Sequence, residues 1–144
     1  MKLINNVKII LPAKSGNESF ARASVAAFCA NLSPTIEEIN DVKTAVSEAV
    51  TNAIVHAYAD GEGEITIDVA VYDDKVVDIT ITDEGSGVAD VEEARKPFFT
   101  TKSKEEHSGM GFTIMEAFMD ELEVISAIGR GTTVKMRKKI GKNA

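Results

Sequence analysis

A chain of 144 residues makes one domain with room for one core. Its composition, 44% hydrophobic and 27% charged, is globular and excludes a disordered or fibrous chain. Sixteen Lys and Arg against 23 Asp and Glu leave a formal charge of −7, which excludes the positive field that free DNA or RNA binding requires.

Leu3, Val7, Ile9 and Leu11 sit at period-2 spacing and predict a first strand, ended by Pro12 and Gly16. Ser15 and Glu18 have capping-box spacing, so a helix follows, with Ala21, Val25, Phe28, Cys29 and Leu32 on one face. Cys29 is the only cysteine, so no internal disulfide forms and a reducing, cytoplasmic setting fits. On that face it reads as a small core residue. Pro34 breaks the chain, and Thr35 with Glu38 forms a second capping box. A long helix is then predicted from about Ile36 to Tyr58, with Ile39, Val42, Val46, Ala49, Val50, Ala53 and Ala57 as its apolar stripe.

Gly61 and Gly63 predict a flexible turn into a hairpin. Ile65, Ile67, Val69 and Val71 form one arm, Asp73-Asp74 the turn, and Val77, Ile79 and Ile81 the other arm. From Asp83 to Gly111 periodicity weakens, apart from a short helix around residues 90–94, and such a connection reads as functional. Phe112, Met115, Phe118 and Met119 restore helical spacing. Leu122 and Val124 begin a strand that turns at Gly129–Gly131 and returns through Thr133 to Arg137. Lys135 to Lys142 carries five basic residues and reads as a solvated edge strand and tail. No apolar run approaches the ~20 residues of a membrane span, and the N-terminus lacks a signal-peptide pattern. The expectation is one α+β domain over residues 1–144: a two-layer sandwich whose mixed, mostly antiparallel sheet carries helices on one face.

Four features carry chemistry. Glu48, Asn52 and His56 lie four apart in the long helix, about 40° from one to the next, and form one polar stripe beside the apolar face. A carboxylate there can take a proton from a nucleophile, and an amide oxygen suits Mg²⁺. The same stripe also fits a partly solvated helix surface. Asp83 shares strand parity with Val77, Ile79 and Ile81, so it points to the core, where a carboxylate needs a partner. A backbone N–H or the amino group of a bound base could supply one, and Gly85 and Gly87 leave the following backbone bare. Ser108-Gly109-Met110-Gly111 opens a helix and offers amide donors and a positive dipole end to an anion. Lys102 lies just upstream. Thr132 and Thr133 after Gly131 either reach a base edge or satisfy a turn.

The succession Glu48-Ala-Val-Thr-Asn52, Asp83-x-Gly85-x-Gly87, Gly109-x-Gly111 and Gly131-Thr132 resembles the Bergerat ATP-binding fold of gyrase, Hsp90, histidine kinases and MutL. The P-loop and eukaryotic kinase motifs are absent. Asn17-Glu-Ser-Phe-Ala-Arg22, Val46–Ile54, Glu92–Pro97, Phe99-Thr-Thr-Lys102 and Ser108–Glu116 narrow the resemblance to the family of sporulation anti-sigma-F factors, which are serine kinases. It spans nearly the whole chain. One departure is His56-Ala57-Tyr58, where the family usually has His-Gly-Tyr.

The resemblance implies ATP and Mg²⁺ as cofactors, with Asn52 on the metal and Asp83 accepting from the adenine amino group. It places Gly85 and Gly87 along the base pocket and Thr132 or Thr133 beside the adenine. Ser108, Gly109, Met110 and Gly111 hold phosphate, under a lid that carries Thr101 and Lys102. Glu48 is the implied general base. The implied partners are a sigma factor, an anti-anti-sigma protein as serine substrate, and a second copy in a homodimer, switched by ATP and ADP. Asn17 and Arg22 are the implied partner contacts; Arg22 can also pair with Glu18 one turn away. A nucleotide-gated sigma-binding module without kinase activity is the alternative, and Glu48 argues against it. The catalytic domain of a two-component sensor would need a phosphoacceptor helix pair that this sequence does not supply.

Overall fold

The computed structural model describes residues 1–58, 62–87, 90–96 and 111–141. Five strands form one sheet: β1 (Leu3–Pro12), β2 (Glu64–Tyr72), β3 (Val76–Asp83), β4 (Glu121–Ala127) and β5 (Gly131–Lys139). Four α-helices accompany them: α1 (Asn17–Cys29), α2 (Ile36–Asn52), α3 (Val91–Ala94) and α4 (Gly111–Phe118). The strand order is β1-β2-β3-β5-β4.

Alternation decides which face of the sheet is covered. Ile65, Ile67, Val69 and Val71 of β2 and Val77, Ile79 and Ile81 of β3 are buried, while the residues between them are not. They meet Ala21, Val25 and Cys29 of α1, Val42, Ala45, Val46, Ala49 and Val50 of α2, and Met115 of α4. Helix α2 lies between α1 and α4. Each buried branched side chain contributes about 1.5–3 kcal/mol relative to exposure. Cys29 is a core residue, and burial pushes its thiol pKa up to about 12, which keeps it protonated.

Several expectations need correction. All four strand pairings are antiparallel, so the described sheet has no mixed character. β5 inserts between β3 and β4, which therefore run parallel without being neighbours. β5 is thus an interior strand instead of an edge, and its basic residues are partnered. Arg137 grips Asp78 through two nitrogens at 2.6 and 2.8 Å. Lys138 is buried, donates to the Phe118 carbonyl at 2.8 Å, and lies 3.7 Å from Asp41. Lys138 thereby places a cation at the C-terminal end of α4, where the helix dipole favours one. Lys142 lies outside the described residues.

The expected capping box at Ser15 does not form. Gly16 is the residue before α1, no side chain caps the helix, and the Glu18 carboxylate instead accepts from the Ser47 hydroxyl on α2. The second box does form, with Thr35 and Glu38 exchanging bonds of 2.9 and 3.0 Å. Glu38 also accepts from the Gly141 N–H at 2.8 Å and so ties the end of β5 to the start of α2. The long helix is regular only to Asn52, beyond which Ala53–Ala57 form a π-helical turn.

Candidate nucleotide site

One end of the helix-facing side of the sheet is polar. The register aligns Ile65, Asp83, Thr132 and Ser126 in a single row across β2, β3, β5 and β4. Asp83 is 7% exposed. Its Oδ1 accepts from the backbone N–H of Gly85 at 3.0 Å and of Thr132 at 3.2 Å. Among the described residues its second oxygen, Oδ2, accepts from none. Burial raises the Asp83 pKa, and the two N–H bonds partly oppose that rise. The two backbone N–H groups therefore fix the carboxylate through Oδ1.

The glycines around it serve close packing. Gly87 has φ +69°, and a Cβ there would lie 2.1 Å from the Ala127 carbonyl oxygen. Gly131 has φ +80°, and its Cβ would lie 2.1 Å from the Asp83 carbonyl oxygen. The Gly129 N–H donates to the Ser86 carbonyl at 2.8 Å. Bare backbone thus lets the turn after β3 lie directly on the β4–β5 turn. Gly87 and Gly131 are required by that approach whether or not a ligand is bound.

The row is completed by hydroxyls. Ser126 donates to the Gly131 carbonyl at 2.9 Å and lies 2.8 Å from the Thr132 hydroxyl. Thr133 differs: strand alternation puts it on the opposite face, opposite Thr82 and Ile125. Of the two threonines, only Thr132 shares the face of Asp83.

Glu48 and Asn52 are half-buried on the last two turns of α2. The π-helical turn follows at once, closed by the Tyr58 N–H donating to the Ala53 carbonyl at 3.1 Å. Single π turns inside helices often mark functional sites. Among the described residues, no three His, Cys, Asp or Glu side chains gather closely enough to hold a metal. One neutral amide in that setting fits Mg²⁺ better than a cation caged by protein, because Mg²⁺ keeps several waters and shares phosphate oxygens. Gly111 is buried as the first residue of α4. Thr101, Lys102, Ser108, Gly109 and Met110 lie outside the described residues.

The Asn17 side chain donates to the Pro12 carbonyl at 2.8 Å and fixes the β1–α1 link. Arg22, whose side chain is 40% exposed, lies 3.6 Å from Glu18. Since Glu18 also accepts from Ser47, this cluster adjoins the residue before Glu48.

Two residues escaped the sequence reading. Tyr58, expected only to end the long helix, is buried and joins the start of β2 to the residue after β3 through its hydroxyl. Gly63, expected only as a turn, leaves room for the Tyr58 ring: a Cβ there would lie 2.3 Å from the ring. The readable signal was a tyrosine at the end of a polar helical stripe and a glycine just before a strand.

Residues 11–138 match the histidine kinase-like ATPase domain family. The chain is 57% identical over 143 residues to an anti-sigma F factor of Caldanaerobacter subterraneus subsp. tengcongensis, covering 99% of each chain. It is 52% identical to the anti-sigma F factor of Geobacillus thermodenitrificans, over 96% of this chain and 95% of that one. The chain belongs to the anti-sigma F factor family. Its fold recurs in the RsbU and RsbW domains of Rv1364c from Mycobacterium tuberculosis, with a TM-score of 0.70, 23% identity, and coverage of 95% of this chain and 33% of that one. It recurs also in the histidine kinase domain of the Erythrobacter litoralis EL346 blue-light activated histidine kinase, with a TM-score of 0.59, 19% identity, and coverage of 92% and 63%. The α+β sandwich of this family member is thus the histidine kinase-like ATPase fold.

Proposed function

We propose that this anti-sigma F family member binds a sporulation sigma factor and holds it inactive as a homodimer. With Mg·ATP it also phosphorylates a serine of an anti-anti-sigma protein. The full-length identity to proteins named anti-sigma F factor carries the first part. The buried Asp83 carboxylate, whose Oδ2 accepts from none of the described residues, supports the nucleotide binding that the second part needs, in an ATPase-family domain.

The adenine amino group donates to Asp83 Oδ2, while Gly85 and Thr132 hold Oδ1. Thr132 and the backbone at Gly85 and Gly87 border the base. Asn52 contributes its amide oxygen to Mg²⁺, which supplies charge neutralisation at the phosphates when bound. Gly109, Gly111, Ser108, Met110, Thr101 and Lys102 are assigned to the phosphates by their positions in sequence. Glu48 takes the proton of the incoming serine hydroxyl. The serine oxygen bonds to the γ-phosphorus as the bond from that phosphorus to the β–γ bridging oxygen breaks, leaving phosphoserine and ADP. ATP favours the sigma complex, and ADP favours the complex with the unphosphorylated antagonist. Asn17 and Arg22 contact the protein partners.

The test mixes the protein with Mg·ATP and anti-anti-sigma candidates and detects phosphoserine by mass spectrometry. Phosphoserine on one antagonist supports the reading. ATP-dependent sigma binding with no phosphoserine on any antagonist would reduce the protein to a nucleotide-gated clamp.

A further inference from the structure

We propose that Tyr58 is a positioning residue for base recognition, acting through the backbone that carries Asp83. The proposal rests on the nucleotide site set out above.

The last pair of the β2–β3 ladder is Ile65 with Asp83. Continued by one residue, the register would face Glu64 with Glu84. That rung is filled by a side chain. The Glu84 N–H donates to the Tyr58 hydroxyl at 2.5 Å, and the hydroxyl donates to the Glu64 carbonyl at 2.9 Å. The phenol oxygen stands where one N–H···O=C bond would otherwise close the ladder. An inserted oxygen spaces the two chains, so the backbone after Asp83 leaves β2 and turns toward Gly85 and Gly87.

Three observations make this insertion a built feature. Tyr58 is 8% exposed, so its ring is held among its neighbours. Gly63 has φ +141°, and a Cβ on it would overlap the ring at 2.3 Å, so the strand start is shaped around the tyrosine. Tyr58 also ends the π-helical turn that begins directly after Asn52, its own N–H bonded to the Ala53 carbonyl. One residue therefore links the end of the helix bearing Glu48 and Asn52 to the turn that begins directly after Asp83. A tilt of that turn would misdirect Oδ2 without unmaking the core, because a misplacement of about 1 Å is enough to weaken an aligned contact.

Tyr58→Phe keeps the ring and removes both hydroxyl bonds. Calorimetric titration would compare ATP with purine riboside triphosphate, which lacks the 6-amino group. We expect ATP affinity to fall about tenfold, as loss of hydrogen bonds of ordinary strength implies. We expect the analogue's affinity to change by less than about twofold, so that discrimination collapses. A merely structural loss would weaken both ligands equally. Gly63→Ala, which displaces the ring while keeping the hydroxyl, should lower discrimination in the same way and covers the case in which Tyr58→Phe does not fold. Unchanged discrimination in a folded variant, or equal loss for both ligands, overturns the role of Tyr58. Failure of the wild-type chain to bind ATP at all overturns the nucleotide site and this inference together.

Discussion

Asp83 and Thr132 face one another across β3 and β5, and the Thr132 N–H donates to Asp83 Oδ1 at 3.2 Å. A second N–H, from Gly85, reaches the same oxygen at 3.0 Å. The strand pairing therefore orients the carboxylate before any ligand arrives, which is the condition for a polar group to discriminate among ligands.

This arrangement separates the stability and binding roles of Asp83. Burial raises its folded pKa above 3.8. The folded state then holds the proton more tightly than the unfolded state. The stability this contributes is fully present below the unfolded value and is lost as pH rises through the folded value. At pH 7 the ionised group is a cost to the fold. Asp83→Asn keeps an acceptor oxygen for the two N–H groups and removes the charge, but turns an amide N–H₂ toward the amino group of the base. We expect its thermal midpoint at pH 7 to equal or exceed that of the wild type, with ATP affinity about 10–100-fold weaker, the range for loss of a hydrogen bond to a charged group. Calorimetry of the wild type and the variant between pH 4 and 8 checks the two parts together. The wild-type midpoint should lose ground to the variant as pH rises.

Glu48 tests the chemistry instead of the binding. It is half-buried one turn before Asn52. Glu48→Gln is nearly isosteric and cannot accept a proton at neutral pH. We expect phosphate transfer to fall by about 10²–10⁴-fold, the usual contribution of a general base, with ATP affinity within about threefold of wild type. A radiolabelled transfer assay beside equilibrium binding separates these outcomes. Transfer at the wild-type rate would remove Glu48 from the mechanism.

How much of this was legible in the sequence depends on the range of the interactions involved. The paired strands β2 and β3, the Thr35–Glu38 box and the inward direction of Asp83 follow from local alternation and spacing. The position of β5 does not. Lys135 to Lys139 looked like a solvated edge because a charged strand face usually is one. Only the non-local order β3-β5-β4 reveals that Asp78, Asp41 and the Phe118 carbonyl take up those charges. Ser15 lost its cap role for a similar reason, since Glu18 bonds across to Ser47 on another helix. The Tyr58 hydroxyl joins residues 58, 64 and 84, and no window of local sequence contains that bridge. Local sequence left Thr132 and Thr133 equivalent, and only the observed pairing of Thr132 with Asp83 puts Thr132 alone on the Asp83 face.

Gly131 and Gly129 share a left-handed backbone conformation but differ in what lies against them. Both have positive φ, +80° and +77°. A Cβ at Gly131 would meet the Asp83 carbonyl oxygen at 2.1 Å, whereas one at Gly129 meets nothing within 4 Å. Gly129→Ala should cost about 1 kcal/mol, the conformational term for a left-handed residue. Gly131→Ala adds a backbone collision and should cost several-fold more, and it should also weaken ATP binding because Asp83 must move. Urea unfolding of the two variants measures the difference. Equal destabilisation would mean that the turn relaxes without disturbing β3.

Arg22 allows the partner surface to be separated from the fold. Its guanidinium lies 3.6 Å from Glu18, and 40% of the side chain is exposed. An exposed pair one helical turn apart contributes only about 0.2–0.5 kcal/mol. Arg22→Ala should therefore leave the urea midpoint and the ATP affinity close to wild type. If Arg22 contacts the sigma factor, the same substitution should weaken that complex at least tenfold, because arginines at protein interfaces are often energetic anchors. Arg22→Lys should restore little, since a lysine cannot reproduce a planar, forked donor. Surface plasmon resonance with immobilised sigma factor, in the presence of Mg·ATP, gives the comparison. An unaltered sigma complex in Arg22→Ala would leave the residue with its helical ion pair alone.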